Sequence, residues 1–219
     1  MSRNGSSILI APGQKRKFTI QEFKAKRAKE KFRGAFAAQV REELEGNHSA
    51  RAGEQLPPPP GGFTRQHFKE IKAHFLKPTG WFIKHERKDD TEAFFLTKEN
   101  IAQDRFFTTG LTLNCLRDLR KRTGKTPSAD AAALAEQAAS DYLLTERSSS
   151  QQGPFKIVKF RYDFLPPTQM KITIQQVLVA NDATSTLYLL TFEATKASWA
   201  EEWKIGELML DQMNLDKKF

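Results

Sequence analysis

The sequence predicts an α+β fold in which an antiparallel β-sheet is covered by helices, with a basic helical extension at the N-terminus. Three observations predict it. In Phe155–Phe164, Val158, Phe160, Tyr162 and Phe164 alternate with Lys159, Arg161 and Asp163, the period of a half-buried strand. Over 170–194, Met170, Ile172, Ile174 and Leu178 point one way, Asn181-Asp182 supplies a turn, and 187–192 returns as the second arm of a hairpin. A helix over 198–213 then closes the chain, so strands and helices follow one another without strict βαβ alternation.

Residues 1–18 are polar and basic with Gly and Pro, and read as a disordered tail. Over 19–45, Ala28, Phe32, Phe36, Val40 and Leu44 recur every four positions and make one helical stripe. Gly46-Asn47 stops it, and 46–62, with Pro57 to Pro60 and Gly61-Gly62, is a stiff linker. The folded domain is expected over 63–219. Thr64 is expected to cap a short helix whose Phe68, Ile71 and Phe75 share a face, ended by Pro78 and Gly80. Residues 81–85 and 93–97 read as strands around a charged turn at Lys88-Asp89-Asp90, and 106–111 as a third strand. Residues 113–122 read as a helix and 131–144, rich in Ala and Leu, as another, with 148–153 a loop. In the last helix Ser198 and Glu201 match a capping box. Trp199, Trp203, Leu210 and Met213 share a face there, and Gly206 allows close approach to the sheet.

Size and charge narrow the function. A chain of 219 residues holds one domain of about 150 residues plus an extension. Its 17 Phe and 3 Trp are enough bulk for a real core. The net charge of +9 is uneven: residues 1–60 hold 12 Lys and Arg against 6 Asp and Glu, leaving 23 against 20 in the rest. The single Cys115 excludes an internal disulfide and fits a reducing compartment. No apolar run approaches the ~20 residues of a membrane span, and the patch at 8–11 is too short for a secretory signal. The first 21 residues lack acids and contain Ser and Arg, as organelle transit peptides do. The expectation is a soluble intracellular protein, with chloroplast and nucleus the main candidates.

No motif of catalysis is complete in the sequence. Thr123-Gly124-Lys125-Thr126 looks like the end of a P-loop, but Leu119 stands where the first glycine belongs, and a helix C-cap at Gly124 explains the glycine better. His67 and His74, seven apart and so on one face of the short helix with Glu70 nearby, read as a solvated pair, because a metal usually takes three or four ligands, commonly at i, i+4 spacing; His85 with Asp89 and Asp90 reads as a polar turn. Cys115, between Leu113 and Leu116, reads as a buried thiol on an apolar helix face. Ser148 to Ser150 lack a nucleophile-elbow setting, and Glu201-Glu202 suit the first turn of a helix. No cofactor and no metal is expected, and no constellation recommends acid–base chemistry.

Three stretches carry a family resemblance. Pro78-Thr79-Gly80-Trp81 looks like the P-x-G-W opening of a first strand. Phe106-Phe107-Thr108-Thr109-Gly110-Leu111-Thr112-Leu113 looks like an f-x-x-G-l-t-l segment leading into a helix. Residues 188–219, with Thr191-Phe192-Glu193-Ala194 and Trp199, look like a closing strand and helix. Together they resemble the PsbP-like superfamily: PsbP proteins of photosystem II, DcrB-like bacterial lipoproteins and Mog-type Ran-binding factors. The resemblance implies an α/β/α sandwich and members that act by binding partners rather than by catalysis. It identifies no functional residue individually. Neither a lipobox cysteine nor a bipartite presequence accompanies it, so a lumenal or periplasmic location is not expected.

The functional candidate is therefore the basic arm. Lys15, Arg16, Lys17, Lys24, Lys26, Arg27, Lys29, Lys31 and Arg33 supply charge, interleaved with Phe18, Phe23, Phe32 and Phe36. The leading expectation is docking to a larger protein complex, photosystem-associated or a GTPase-type partner. The same arm suits nucleic-acid phosphates or an anionic membrane surface, and a helix laid on its own domain is the plainest alternative. The rival from another class is an enzyme or small-molecule-binding protein with a pocket between sheet and helices.

Overall fold

The computed structural model describes residues 56–88, 91–104, 106–166 and 170–219. The tail, the 19–45 helix, most of the linker and the Asp89-Asp90 turn therefore lie outside the described residues. Pro59–Phe219 is one compact unit.

The unit opens with a hairpin. β1 (Phe63–Phe68) and β2 (Ala73–Pro78) pair antiparallel on either side of a 3₁₀ turn, Lys69–Ile71. The helix expected here is absent, and the reason is a shared pattern. Phe68, Ile71 and Phe75 suit one helical face, yet Ile71, Ala73 and Phe75 also alternate as a strand does, and all three are fully buried. Lys72, with φ 46°, takes the left-handed conformation that closes the turn. Thr64 does not cap a helix; its Oγ1 donates to the Lys77 carbonyl across the hairpin.

β3 (Phe82–Lys88) and β4 (Thr91–Thr97) agree with the two expected strands. A short helix, α1 (Ile101–Asp104), precedes β5 (Gly110–Leu116). The expected strand at 106–111 and helix at 113–122 are thus both displaced. The run from Gly110 to Leu116 is buried on both faces, so it reads as a continuous apolar segment whose period does not separate strand from helix. Only α2 (Leu119–Thr123) remains of that helix, and Gly124, φ 76°, ends it by donating its N–H to the Arg120 carbonyl. α3 (Pro127–Asp141) starts earlier than expected because Thr126 accepts the Ala129 N–H and Pro127 takes the first helical position.

The stretch read as a loop at 148–153 is a strand, β6 (Leu144–Gln152). Its Ser and Gln residues carry no strand signal of their own, and pairing with β7 (Phe155–Phe164) supplies the structure. β7, β8 (Ile172–Asn181) and β9 (Thr186–Thr195) form the predicted strand and hairpin, followed by α4 (Trp199–Asp211) and a two-residue β10 (Asn214–Leu215).

Seven strands form one fully antiparallel sheet in the order β3-β4-β5-β9-β8-β7-β6; β1, β2 and β10 form a small second sheet. Register sorts the side chains. The cross-strand row Phe94–Leu113–Leu190–Val177 faces the small sheet and α4. The alternate row, with Phe95, Thr112, Thr191, Gln176 and Phe160, faces the other way. α3 packs there against β7, β8 and β9 through buried Ala131, Ala135 and Ala138. The domain is an α+β sandwich with its sheet between helical layers, as the sequence predicts.

Candidate functional site

Lys15, Arg16, Lys17, Lys24, Lys26, Arg27, Lys29, Lys31 and Arg33, the nominated site residues, all lie outside the described residues. Among the described residues, four groupings of chemistry-bearing side chains stand out.

The first is a shelf where α4 lies on β9 and the Arg161 side chain reaches it from β7. Trp199 and Trp203, one helical turn apart, stack at 5.2 Å and 10°. Their edges meet buried Phe192 at 5.9 and 5.8 Å. The Arg161 guanidinium lies over both indoles, 5.2 and 4.8 Å from their centroids. Its Nε donates to Gln175 Oε1 at 2.8 Å and its terminal nitrogen pairs with Glu146 at 2.9 Å. Lys159, Glu207 and Asp211 border a cavity of about 120 Å³ beside it. Both Trp side chains stay half-buried, so aromatic surface, a fixed cation and flanking carboxylates are presented together. The helix start differs from expectation. Ser198 is helical rather than extended and makes no cap; its hydroxyl meets Thr195 Oγ1 at 2.8 Å, while Glu201 pairs with Lys204. With the serine already in the helical region and its oxygen engaged by Thr195, the reciprocal box does not form.

The second place is Glu92, only 1% exposed, which gathers His85 (2.8 Å), Arg87 (3.3 Å) and Arg117 (3.3 Å). His85 is thus held by a buried carboxylate and stacks on Phe94 at 4.3 Å, so it is part of the sheet and not of a polar turn. Surrounding cations offset the cost of burying this charge.

The third is the start of α3. Asp182 accepts from the Ser128 N–H (2.9 Å), the Ser128 hydroxyl (2.7 Å) and Lys156 Nζ (2.9 Å). Burial raises the Asp182 pKa, but the bonds from Ser128 and Lys156 outweigh it and hold the carboxyl below its usual range. A depressed carboxyl is a poor base for Ser128, so the group serves as a strap between the β8–β9 turn and α3.

The fourth is the β1–β2 hairpin, where His67 and His74 face each other across the strands and stack at 4.3 Å. The shared helical face expected for them is replaced by cross-strand pairing. Among the described residues no group of three or more His, Cys, Asp or Glu is placed to hold a metal ion. Cys115 is fully buried, on β5 rather than on a helix, and burial pushes its thiol up to about 12, with Arg117 opposing and Glu92 adding. Among the described residues no helix is long and apolar enough to cross a membrane.

Reading the sequence located Trp199 and Trp203 but treated them as core, and missed Arg161. The available signal was Lys159-x-Arg161-x-Asp163: a charged side on a central strand implies that some neighbour must satisfy it.

No family model matches the sequence, and no curated protein matches it. Among solved structures, the chain is similar to the Ran-binding protein Mog1p of Saccharomyces cerevisiae, with TM-score 0.47 and 11% identity over 70% of this chain and 95% of that one. It is similar to the PsbP of the cyanobacterium Synechocystis, with TM-score 0.47 and 10% identity over 75% of this chain and 99% of that one. A Bacteroides thetaiotaomicron protein aligns with TM-score 0.44 and 13% identity over 72% of this chain, which spans 50% of that protein.

Proposed function

We propose that the chain is a non-enzymatic binding module that docks a protein partner on the Arg161–Trp199–Trp203 shelf, with the basic arm as a second docking element. The observation that carries this reading is the stack itself. Trp and Arg are the side chains most enriched at the energetic centres of protein interfaces. Here they are pre-ordered by Phe192, Gln175 and Glu146, which lowers the entropy lost when a partner settles on them.

The perturbed groups support binding over catalysis. Cys115, Tyr162 and Tyr188 are raised chiefly by burial in the core, whereas in Asp163 and Asp182 burial acts upward but hydrogen bonds and ion pairs together outweigh it and lower the pKa. None of these five groups is poised as an acid or base near neutrality. The finer reading, attachment to a photosystem-associated assembly or to a GTPase-type partner, follows from the resemblance of the residue motifs to the PsbP-like superfamily.

Affinity capture tests it with three forms: the full chain, a chain starting at Gly61, and the full chain with Glu207→Lys and Asp211→Lys, two exposed positions beside the shelf. The expected result is one protein partner, weakened by loss of the arm and lost with the double substitution. Equal capture by the full and shortened chains removes the arm from the reading. Undiminished capture by the double variant removes the shelf. Nucleic-acid capture that collapses between about 50 and 200 mM salt, and with Lys24, Lys26 and Lys29 changed to Glu, replaces the reading by phosphate binding.

A further inference from the structure

We infer that the free edge of β6 is a second interaction surface, one that takes an extended segment of a partner protein as an added strand, with an apolar side chain and an acidic one two positions apart. The inference goes beyond the shelf and stands or falls on different residues.

β6 ends the seven-stranded sheet, and among the described residues no strand lies on its outer side. From Glu146 to Gln152 it holds an unbroken register with β7, so its outer backbone groups form a straight row of donors and acceptors. Sheet edges usually carry protection. The opposite edge, β3, has it: Lys84, His85, Glu86, Arg87 and Lys88 stand in succession. β6 has a register shift between Leu144 and Glu146 and the pair Arg147–Glu136 near its start, but 148–152 is Ser-Ser-Ser-Gln-Gln, uncharged, without Pro and exposed throughout.

The serines also leave room. Beside the edge, on the side of α3, lies a cavity of about 320 Å³ whose lining includes Ser128, Ala131, Ser149, Gln151, Lys156 and Val158. Ser149 pairs with Val158, and Gln151 with Lys156. A side chain opposite Ser149 on an incoming strand would pass over the small serine onto Val158 and Ala131, which favours an apolar group. The next side chain on the same face, two residues away, meets Lys156, the one charged side chain among the described residues lining the cavity, with the Asp182 carboxylate behind it. Lys156 is 55% exposed even with its bonds to Asp182 and to the Ser128 hydroxyl, so it retains its third donor for a second carboxylate. Main-chain bonds would then supply affinity and the two side chains specificity, the logic of strand addition.

The probe is the blocked peptide Thr-Thr-Ile-Thr-Asp-Thr-Thr, titrated into the full chain with backbone amide chemical shifts as readout. The expected result is saturable shifts at 148–152. Affinity should fall at least about tenfold when alternate peptide nitrogens are methylated or Ile is replaced by Gly. Lys156→Glu should weaken this peptide and strengthen its Asp-to-Lys counterpart, a swap that simple loss of folding would not produce. Equal affinity for the methylated peptide, or no shift at 148–152 with about 1 mM peptide, overturns the inference. So does concentration-dependent dimerisation that Ser149→Lys abolishes, because it assigns the edge to a second copy of this chain.

Discussion

Gly206 lies so close to Phe192 that a Cβ on it would stand 2.7 Å from three atoms of the ring. Phe192 is fully buried on β9 and receives the edges of Trp199 and Trp203. A missing side chain on α4 therefore sets the depth at which the helix sits, and with it the height of the Arg161 shelf.

Gly206→Ala tests that seating. Alanine favours a helix interior by ~1 kcal/mol over glycine, but the added methyl must displace a ring that has nowhere to go, a cost of ~1–3 kcal/mol. The clash is expected to win, lowering stability by about 1 kcal/mol in urea unfolding. The tryptophan emission should shift as the shelf is pushed outward. A more stable variant with unchanged emission would refute the close approach.

Tyr188 offers the opposite sign. Its ring is fully buried and its hydroxyl has no hydrogen-bond partner in the structure. Burial, then Cys115 and Asp216, raise its pKa, so it stays protonated and neutral. An unmet buried hydroxyl costs roughly 1–3 kcal/mol, and Tyr188→Phe removes it while keeping the ring. Thermal unfolding should show unchanged or increased stability; a clear loss would mean that the hydroxyl is bonded after all.

The C-terminal half was legible because its two signals agree: Phe155–Phe164 alternates strictly, and Asn181-Asp182 is turn chemistry between apolar runs. Elsewhere the local signal was ambiguous or silent. Ile71, Ala73 and Phe75 fit helix and strand alike, and only pairing with β1 decides between them. Leu111, Leu113 and Cys115 lie in a strand buried on both faces, which erases alternation. Residues 148–152 have loop composition and become a strand only because β7 supplies an edge. The shelf was half legible. Trp199 and Trp203 announce themselves by spacing, but the guanidinium over them comes from 38 and 42 residues earlier in the chain, a contact that no local pattern encodes.

Asp182 secures α3 from outside the helix, so Asp182→Asn is expected to weaken both stability and amide protection in the first turn of α3. The acid dependence has a definite sign. Because the folded pKa lies below 3.8, the carboxylate's contribution is complete above that value and is lost as pH falls through the folded one. Wild type and variant should therefore differ most at neutral pH and converge in strong acid. A gap that stays constant below pH 3.8 would show that Ser128 and Lys156 do not favour the ionised form.

His74 works at milder pH. Burial first, then the charges of His67 and Arg65, hold its pKa below 6.5. The unfolded chain then binds a proton near 6.5 that the folded one declines, so stability falls as pH drops from that value toward the folded pKa. His74→Phe keeps a flat ring against His67 and removes the titration. The wild type should lose stability between about pH 7 and pH 5 more steeply than the variant, measured as the shift in urea midpoint. The His67→Phe variant separates the causes: it removes one of the two neighbouring charges and should flatten the slope only in part. Parallel curves for wild type and His74→Phe would mean that the hairpin histidine titrates no differently folded than unfolded.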